Sequence, residues 1–87
     1  MQNKNIPIDD VVAAIKAERA YQDSKWGTLD EHPQSIPGYL LIIRKELEEA
    51  ENGWMKNVQG RDSALSEIVQ IAAVCVAALQ QHGFEGN

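Results

Sequence analysis

The chain has almost nothing with which to cross-link itself. Cys75 is the single cysteine among 87 residues, which excludes an internal disulfide framework and suits a reducing compartment, so the cytoplasm is the expected location. Histidine is nearly as scarce. His32 falls in a stretch without apolar period, His82 lies near the chain end and Cys75 sits on an apolar seam, so no residues stand at zinc-ligand spacing. Positive charge is thin as well: eight Lys and Arg residues are scattered among thirteen Asp and Glu, and the formal charge of -5 repels a phosphate backbone. No nucleic-acid partner is expected, although a nucleotide bridged by a metal is compatible with this balance. Long hydrophobic runs are missing too. The longest, Ile71 to Leu79, is far too short to span a bilayer, and the opening MQNKNIPIDD has no apolar run of signal-peptide length, so no membrane partner is expected.

What is present is helical. Hydrophobic residues make up 44% of the chain, enough for one packed domain over 1–87, and no strand pattern, internal repeat or low-complexity tract interrupts it. After a tail over 1–7, a first helix is expected from about Ile8 to about Asp23, with Asp9 and Asp10 favourable at its positive end and Ile8, Val11, Val12 and Ile15 as its apolar stripe. The breakers Gly27, Pro33 and Pro37 mark a loop over 24–36, long enough to suggest a functional one. A second helix is expected from about Pro37 past Trp54 towards Gly60, with Leu40, Ile43, Leu47, Ala50 and Trp54 as its seam. A third opens at Asp62 or Ser63 and stops at Gly83, with Leu65, Ile68, Ala72, Cys75 and Leu79 as its seam.

The fold class is therefore all-α: a helical hairpin with its seams facing each other, plus an N-terminal helix. Ile42, Ile71 and Val74 stay uncovered in a two-helix seam, and a second copy would cover them. The expected assembly is a four-helix bundle formed by oligomerisation, as a homodimer or a dimer of dimers.

Helical phase sorts the acidic residues. Glu46 and Glu49 are three apart and share a face, as do Glu67 and Gln70, whereas Glu48 and Glu51 point elsewhere. The stripes Ile42, Glu46, Glu49, Gly53 and Glu67, Gln70, Val74 run beside the two seams and could meet across the hairpin. Three carboxylates brought together at partly buried positions repel one another unless a cation lies between them or protons are taken up. Oxygen ligands select hard cations, so magnesium, or else manganese, is the expected occupant of a site made by Glu46, Glu49, Glu67 and Gln70. The competing reading is a solvated acidic face, with Arg44 to Glu48 and Lys45 to Glu49 as i, i+4 pairs.

The pattern Glu46-x-x-Glu49, seventeen intervening residues, then Glu67-x-x-Gln70 resembles the signature of the MazG-like all-α nucleoside triphosphate pyrophosphohydrolases. The segment Glu18-Arg19-x-x-Gln22-Asp23-x-Lys25-Trp26-Gly27, followed by His32-Pro33, is similar to a short phage- and bacteria-encoded branch of that family. The likeness covers about Val12 to Leu79. It implies magnesium on the paired acidic residues and hydrolysis of a nucleoside triphosphate to monophosphate and pyrophosphate, with Glu49 accepting a proton through water. Gln70 departs from the family's usual Asp: its amide can offer one oxygen to a cation but cannot act as a base. The further helix of longer relatives is also missing, and the alternative is a helical dimer that binds nucleotide and metal with little or no turnover.

Arg19 and Lys25 are candidates for phosphate contact and Trp26 for stacking on a base. Against those roles stand surface charges for Arg19 and Lys25 and a core-closing loop anchor for Trp26. Trp54 and Cys75 read as core residues, His32 as a structural or exposed loop residue, and His82 as a charge favoured by the helix dipole.

Overall fold

The computed structural model describes residues 5–56 and 60–86, and those residues form three helices and no strand: α1 (Ile8–Trp26), α2 (Ile36–Lys56) and α3 (Gly60–His82). Most of the expected tail, residues 1–4, and the link over 57–59 lie outside the described residues. The all-α class is as expected, with shifts at the helix ends.

Pro7 precedes α1, and its carbonyl accepts the N–H groups of Asp10 at 3.0 Å and Val11 at 3.3 Å. The helix runs three residues beyond the expected end at Asp23, because Ser24, Lys25 and Trp26 contain no breaker. It stops at Gly27, whose φ of 95° is open to glycine and whose N–H donates to the Asp23 carbonyl. A Cβ at that position would collide with the His32 ring, so the loop folds back tightly on this glycine. The connection is thus 27–35 rather than 24–36, and Lys25 and Trp26 are helical.

Ser35 starts α2 by accepting the Gly38 N–H on its hydroxyl at 3.0 Å, a side-chain cap that places Pro37 in the first turn. The third helix begins at Gly60, earlier than the expected Asp62 or Ser63, and Asp62 falls instead in the first turn. It ends as expected before Gly83, whose N–H donates to the Leu79 carbonyl at 2.8 Å with φ of 79°.

Helix α3 is the centre of the molecule. Both α2 and α1 pack along it, and they do not pack on each other among the described residues. Tyr39 at the start of α2 meets Gln81 at the end of α3, while Gly53 near the end of α2 meets Ser63 near the start of α3, so the hairpin is antiparallel. The core is small: Tyr39, Val74 and Ala77 are buried together, with Leu29, Ile42, Ile43 and Ala78 against them.

The phase of the hairpin differs from the sequence expectation by about one residue. Its inner face carries Tyr39, Ile42, Glu46, Ala50 and Gly53 on α2, and Ala64, Glu67, Gln70, Val74 and Ala77 on α3. The large seam residues Leu40, Leu47, Trp54, Leu65, Ile68 and Leu79 are exposed instead, Trp54 by 59%. Small residues explain the choice. Ala50, Gly53, Ala64 and Gly60 allow a closer approach of the two backbones than Leu and Trp would permit. Cys75 is half-buried.

In α1 the stripe Ile8, Val11 and Val12 is exposed and Ile15 is half-buried, because this helix meets α3 through its polar second half. Helix α3 is long and apolar enough to cross a membrane, a property that the unbroken run Ile71 to Leu79 understates. Core helices of soluble proteins share that property when mostly buried; here 17% of the apolar window is buried, and α3 carries Glu67 and Gln70 within it.

A Cβ on Gly60 would lie 2.5 Å from the Trp54 carbonyl oxygen and 3.0 Å from that of Gly53. Replacing Gly60 with Ala should therefore destabilise the chain by about 1–3 kcal/mol, read as a lower urea midpoint at unchanged slope.

Candidate metal centre

The hairpin phase brings Glu46 and Glu49 of α2 against Glu67 of α3. One carboxylate oxygen from each lies within 4.8 Å of the others, with Glu46 and Glu67 half-buried and Glu49 exposed. Glu48 and Glu51 point to solvent, as their helical phase requires. Glu46 Oε2 and Glu67 Oε2 are both buried and have no hydrogen-bond partner. Buried charged acceptors without donors are costly.

The electrostatics follow from that burial. Loss of solvent pushes the Glu46 carboxyl above the ordinary glutamate range, the neighbouring Glu67 raises it further, and Lys45 and Glu49 oppose the rise in part. Neither Arg44 to Glu48 nor Lys45 to Glu49 forms an ion pair; the pairs among the described residues are Arg19–Asp23 and Arg61–Asp62.

Glu46 and Glu49 open onto a cavity of about 750 Å³ whose far wall is built by Leu29, His32, Gln34 and Tyr39. That volume lies within the roughly 300–1,000 Å³ typical of small-molecule sites. Gln70 is half-buried and lines the same cavity, while its main-chain carbonyl accepts a hydrogen bond from Gln22 Nε2 at 3.3 Å. Arg19, Lys25 and Trp26 also line it.

Their surroundings differ. Arg19 is 11% exposed and already engaged: its guanidinium donates to Asp23 at 3.0 Å, Gln22 at 3.5 Å and Gln80 at 3.2 Å, which ties α1 to α3. The Lys25 ammonium lies 4.9 Å from the centre of the Trp26 ring and 5.9 Å from that of Tyr21. Trp26 is 65% exposed on the last turn of α1, so it does not close the core as a loop anchor would. His32 is exposed at the cavity, and His82 sets its Nε2 2.8 Å from the Gln34 carbonyl, a contact that the dipole argument alone does not foresee.

Sequence reasoning missed Tyr39, Lys45 and Gln81. A usable signal existed for two of them. Extending the stripe Ile42, Glu46, Glu49 back by one turn reaches Tyr39, and extending Glu67, Gln70, Val74 forward reaches Ala77 and Gln81. Lys45 lines the cavity from a position adjacent to a ligand candidate, where helical phase gives no such cue.

No protein-family model, curated protein or solved structure matches the chain.

Glu46 is raised in the fold, so it holds a proton more firmly folded than unfolded. The associated stability is present below the ordinary glutamate pKa and is lost as pH rises through the raised folded value. In chelator, the melting temperature should fall across that window, and Glu46→Gln should flatten the fall; differential scanning calorimetry at stepped pH checks both.

Proposed function

We propose that this chain is a magnesium-dependent nucleotide pyrophosphohydrolase, cleaving a nucleoside triphosphate and water to the monophosphate and pyrophosphate. The observation that carries the reading is the pair of buried, partnerless oxygens on Glu46 and Glu67, joined by Glu49 at the mouth of a cavity. An all-oxygen donor set of this kind fits magnesium or manganese. The motif resemblance supplies the reaction class, and the ordered segment from Glu18 to Gly27 at the same cavity supports it.

Glu46, Glu49 and Glu67 would hold the ion, with the Gln70 amide oxygen as a neutral fourth candidate. Bound there, magnesium would neutralise phosphate oxygens and lower the pKa of a coordinated water. Glu49 is the exposed member of the trio, free to accept the proton of the attacking water. Lys25 and Trp26 present a cation and an open ring face to phosphate and base, and Lys45 adds a second cation beside the acidic cluster. Arg19 fixes α1 on α3 with three of its five N–H donors, and the two that remain keep it a candidate for phosphate contact.

The exposed seams support a homodimer or dimer of dimers, in which a second hairpin completes a four-helix bundle, and the single cysteine suits a cytoplasmic location. Leu47, Trp54, Met55 and Ile68 border a second, apolar groove between α2 and α3, where an identical hairpin would bury their side chains. Fractionation and gel filtration test this. The chain should remain in the soluble fraction and elute at twice its 9.7 kDa mass or more, and Leu47→Asp should shift it towards the monomer.

A second reading, binding of nucleotide and metal without turnover, is favoured by one observation: the corner at Gln70 is a neutral amide. Pyrophosphate release from a panel of nucleoside triphosphates with magnesium separates the two. Release that falls by about 10²-fold or more in Glu49→Gln is expected. Binding without product would select the second reading, and full activity in Glu49→Gln would remove Glu49 from the mechanism.

A further inference from the structure

The connection over 27–35 forms one wall of the cavity, and Leu29 packs its first half against Tyr39, Val74 and Ala77. Its first half is closed locally: the Thr28 N–H donates to Glu31 Oε1 at 2.8 Å, the Glu31 N–H to Thr28 Oγ1 at 3.3 Å and the His32 N–H to the Thr28 carbonyl at 2.9 Å. Its last residue belongs to the cap of α2 through Ser35. None of these bonds ties the wall to the rest of the molecule.

Gln34 supplies the polar tie, and its carbonyl meets both Gln81 and, at 2.8 Å, the His82 Nε2. Its N–H donates to Gln81 Oε1 at 3.1 Å, and its carbonyl accepts from Gln81 Nε2 at 2.6 Å, so one side-chain amide pairs with both main-chain groups of a single residue. The Tyr39 hydroxyl donates to the same Gln81 Oε1 at 2.6 Å. Both acceptor sites of that oxygen are thereby used. Burial pushes the Tyr39 hydroxyl pKa up, which keeps this proton in place as the donor. The His82 ring sets its edge against Tyr39, with ring centres 5.9 Å apart, and encloses the cluster from the helix end.

We propose that Gln81 is a positioning residue: its amide clasps the Gln34 backbone and holds the 27–35 connection as the wall of the cavity, setting how firmly that cavity retains a nucleotide. Gln81 touches neither the acidic cluster nor its ion, so its influence is on binding and not on chemistry. The statement about nucleotide retention rests on the pyrophosphohydrolase reading; the statement about the wall does not.

Substitution separates these. Gln81→Ala removes three hydrogen bonds, whereas Gln81→Glu keeps the shape and both acceptor contacts but sets a carboxylate oxygen against the Gln34 carbonyl. Hydrogen exchange is read on the full chain with manganese added, comparing amides over 28–34 with those of the core around Ala73 and Val74. In both variants the amides over 28–34 should exchange about tenfold faster while the core is unchanged. The KM for the triphosphate should rise about tenfold at unchanged kcat. Even if Gln81→Ala does not fold, Gln81→Glu carries both measurements. Unchanged exchange over 28–34, or equal acceleration throughout the chain, overturns the clasp. A fall in kcat at constant KM overturns its role in retention. Selective exchange in a chain with no hydrolytic activity upholds the clasp and counts against the pyrophosphohydrolase reading alone.

Discussion

Glu46 and Glu67 each set one carboxylate oxygen into the space between α2 and α3, where no hydrogen-bond partner among the described residues meets it. Protein interiors rarely leave charged acceptors unpaired, because the desolvation is not recovered. Here the helix surfaces facing each other are otherwise made of small residues, Ala50 and Gly53 on one side and Ser63 and Ala64 on the other, which bring the two backbones close and hold the acids together. Without a cation, burial and the neighbouring Glu67 hold the Glu46 carboxyl above the ordinary glutamate range, which eases proton uptake there. A cation would relieve the repulsion between the acids, so proton and metal compete for one place.

Placing acids and small residues inside the hairpin puts the large apolar ones outside. Leu40, Leu47 and Trp54 on α2 and Leu65, Ile68 and Leu79 on α3 recur at helical spacing and are all exposed. An apolar surface of that extent on so short a chain has to be accounted for. The half-buried acids within the hairpin and the exposed apolar residues outside it are two consequences of one rotation of the helices. In the proposed dimer the hairpin would contribute the acidic site from its inner face and the assembly contact from its outer one.

This rotation also marks how far the sequence could be read. The periodicity identifies three helices and even the two stripes that carry the acids, because spacings of three and four residues are fixed by helix geometry. It does not reveal which stripe meets the partner helix within the chain, because apolarity says that a residue is buried against something without saying against what. A shift of one residue turns a helix by about 100°, enough to carry Leu40, Leu47 and Trp54 off the inner face while Ala50 stays on it. Trp26 was obscured for a different reason: without a breaker before Gly27 the helix carries it outward, so a residue whose size suggests a core position remains exposed. The Gln81 clasp was invisible because it joins a side chain to backbone groups 47 residues away, and backbone groups leave no mark in a sequence.

Gln70 joins these features. Its side chain lies at the cavity and its carbonyl receives Gln22, so the residue that completes the acidic stripe on α3 is also a point at which α1 is held. Charge gives its identity a consequence. Three carboxylates around one divalent ion leave a single excess negative charge, whereas an Asp in place of Gln70 would leave two and favour either a second cation or another proton. A neutral amide at this corner would add less repulsion than a carboxylate in a site where two oxygens already lack partners. Within the proposed centre, an amide at this position would bring less negative charge to the metal than a carboxylate and would add less repulsion to the buried pair.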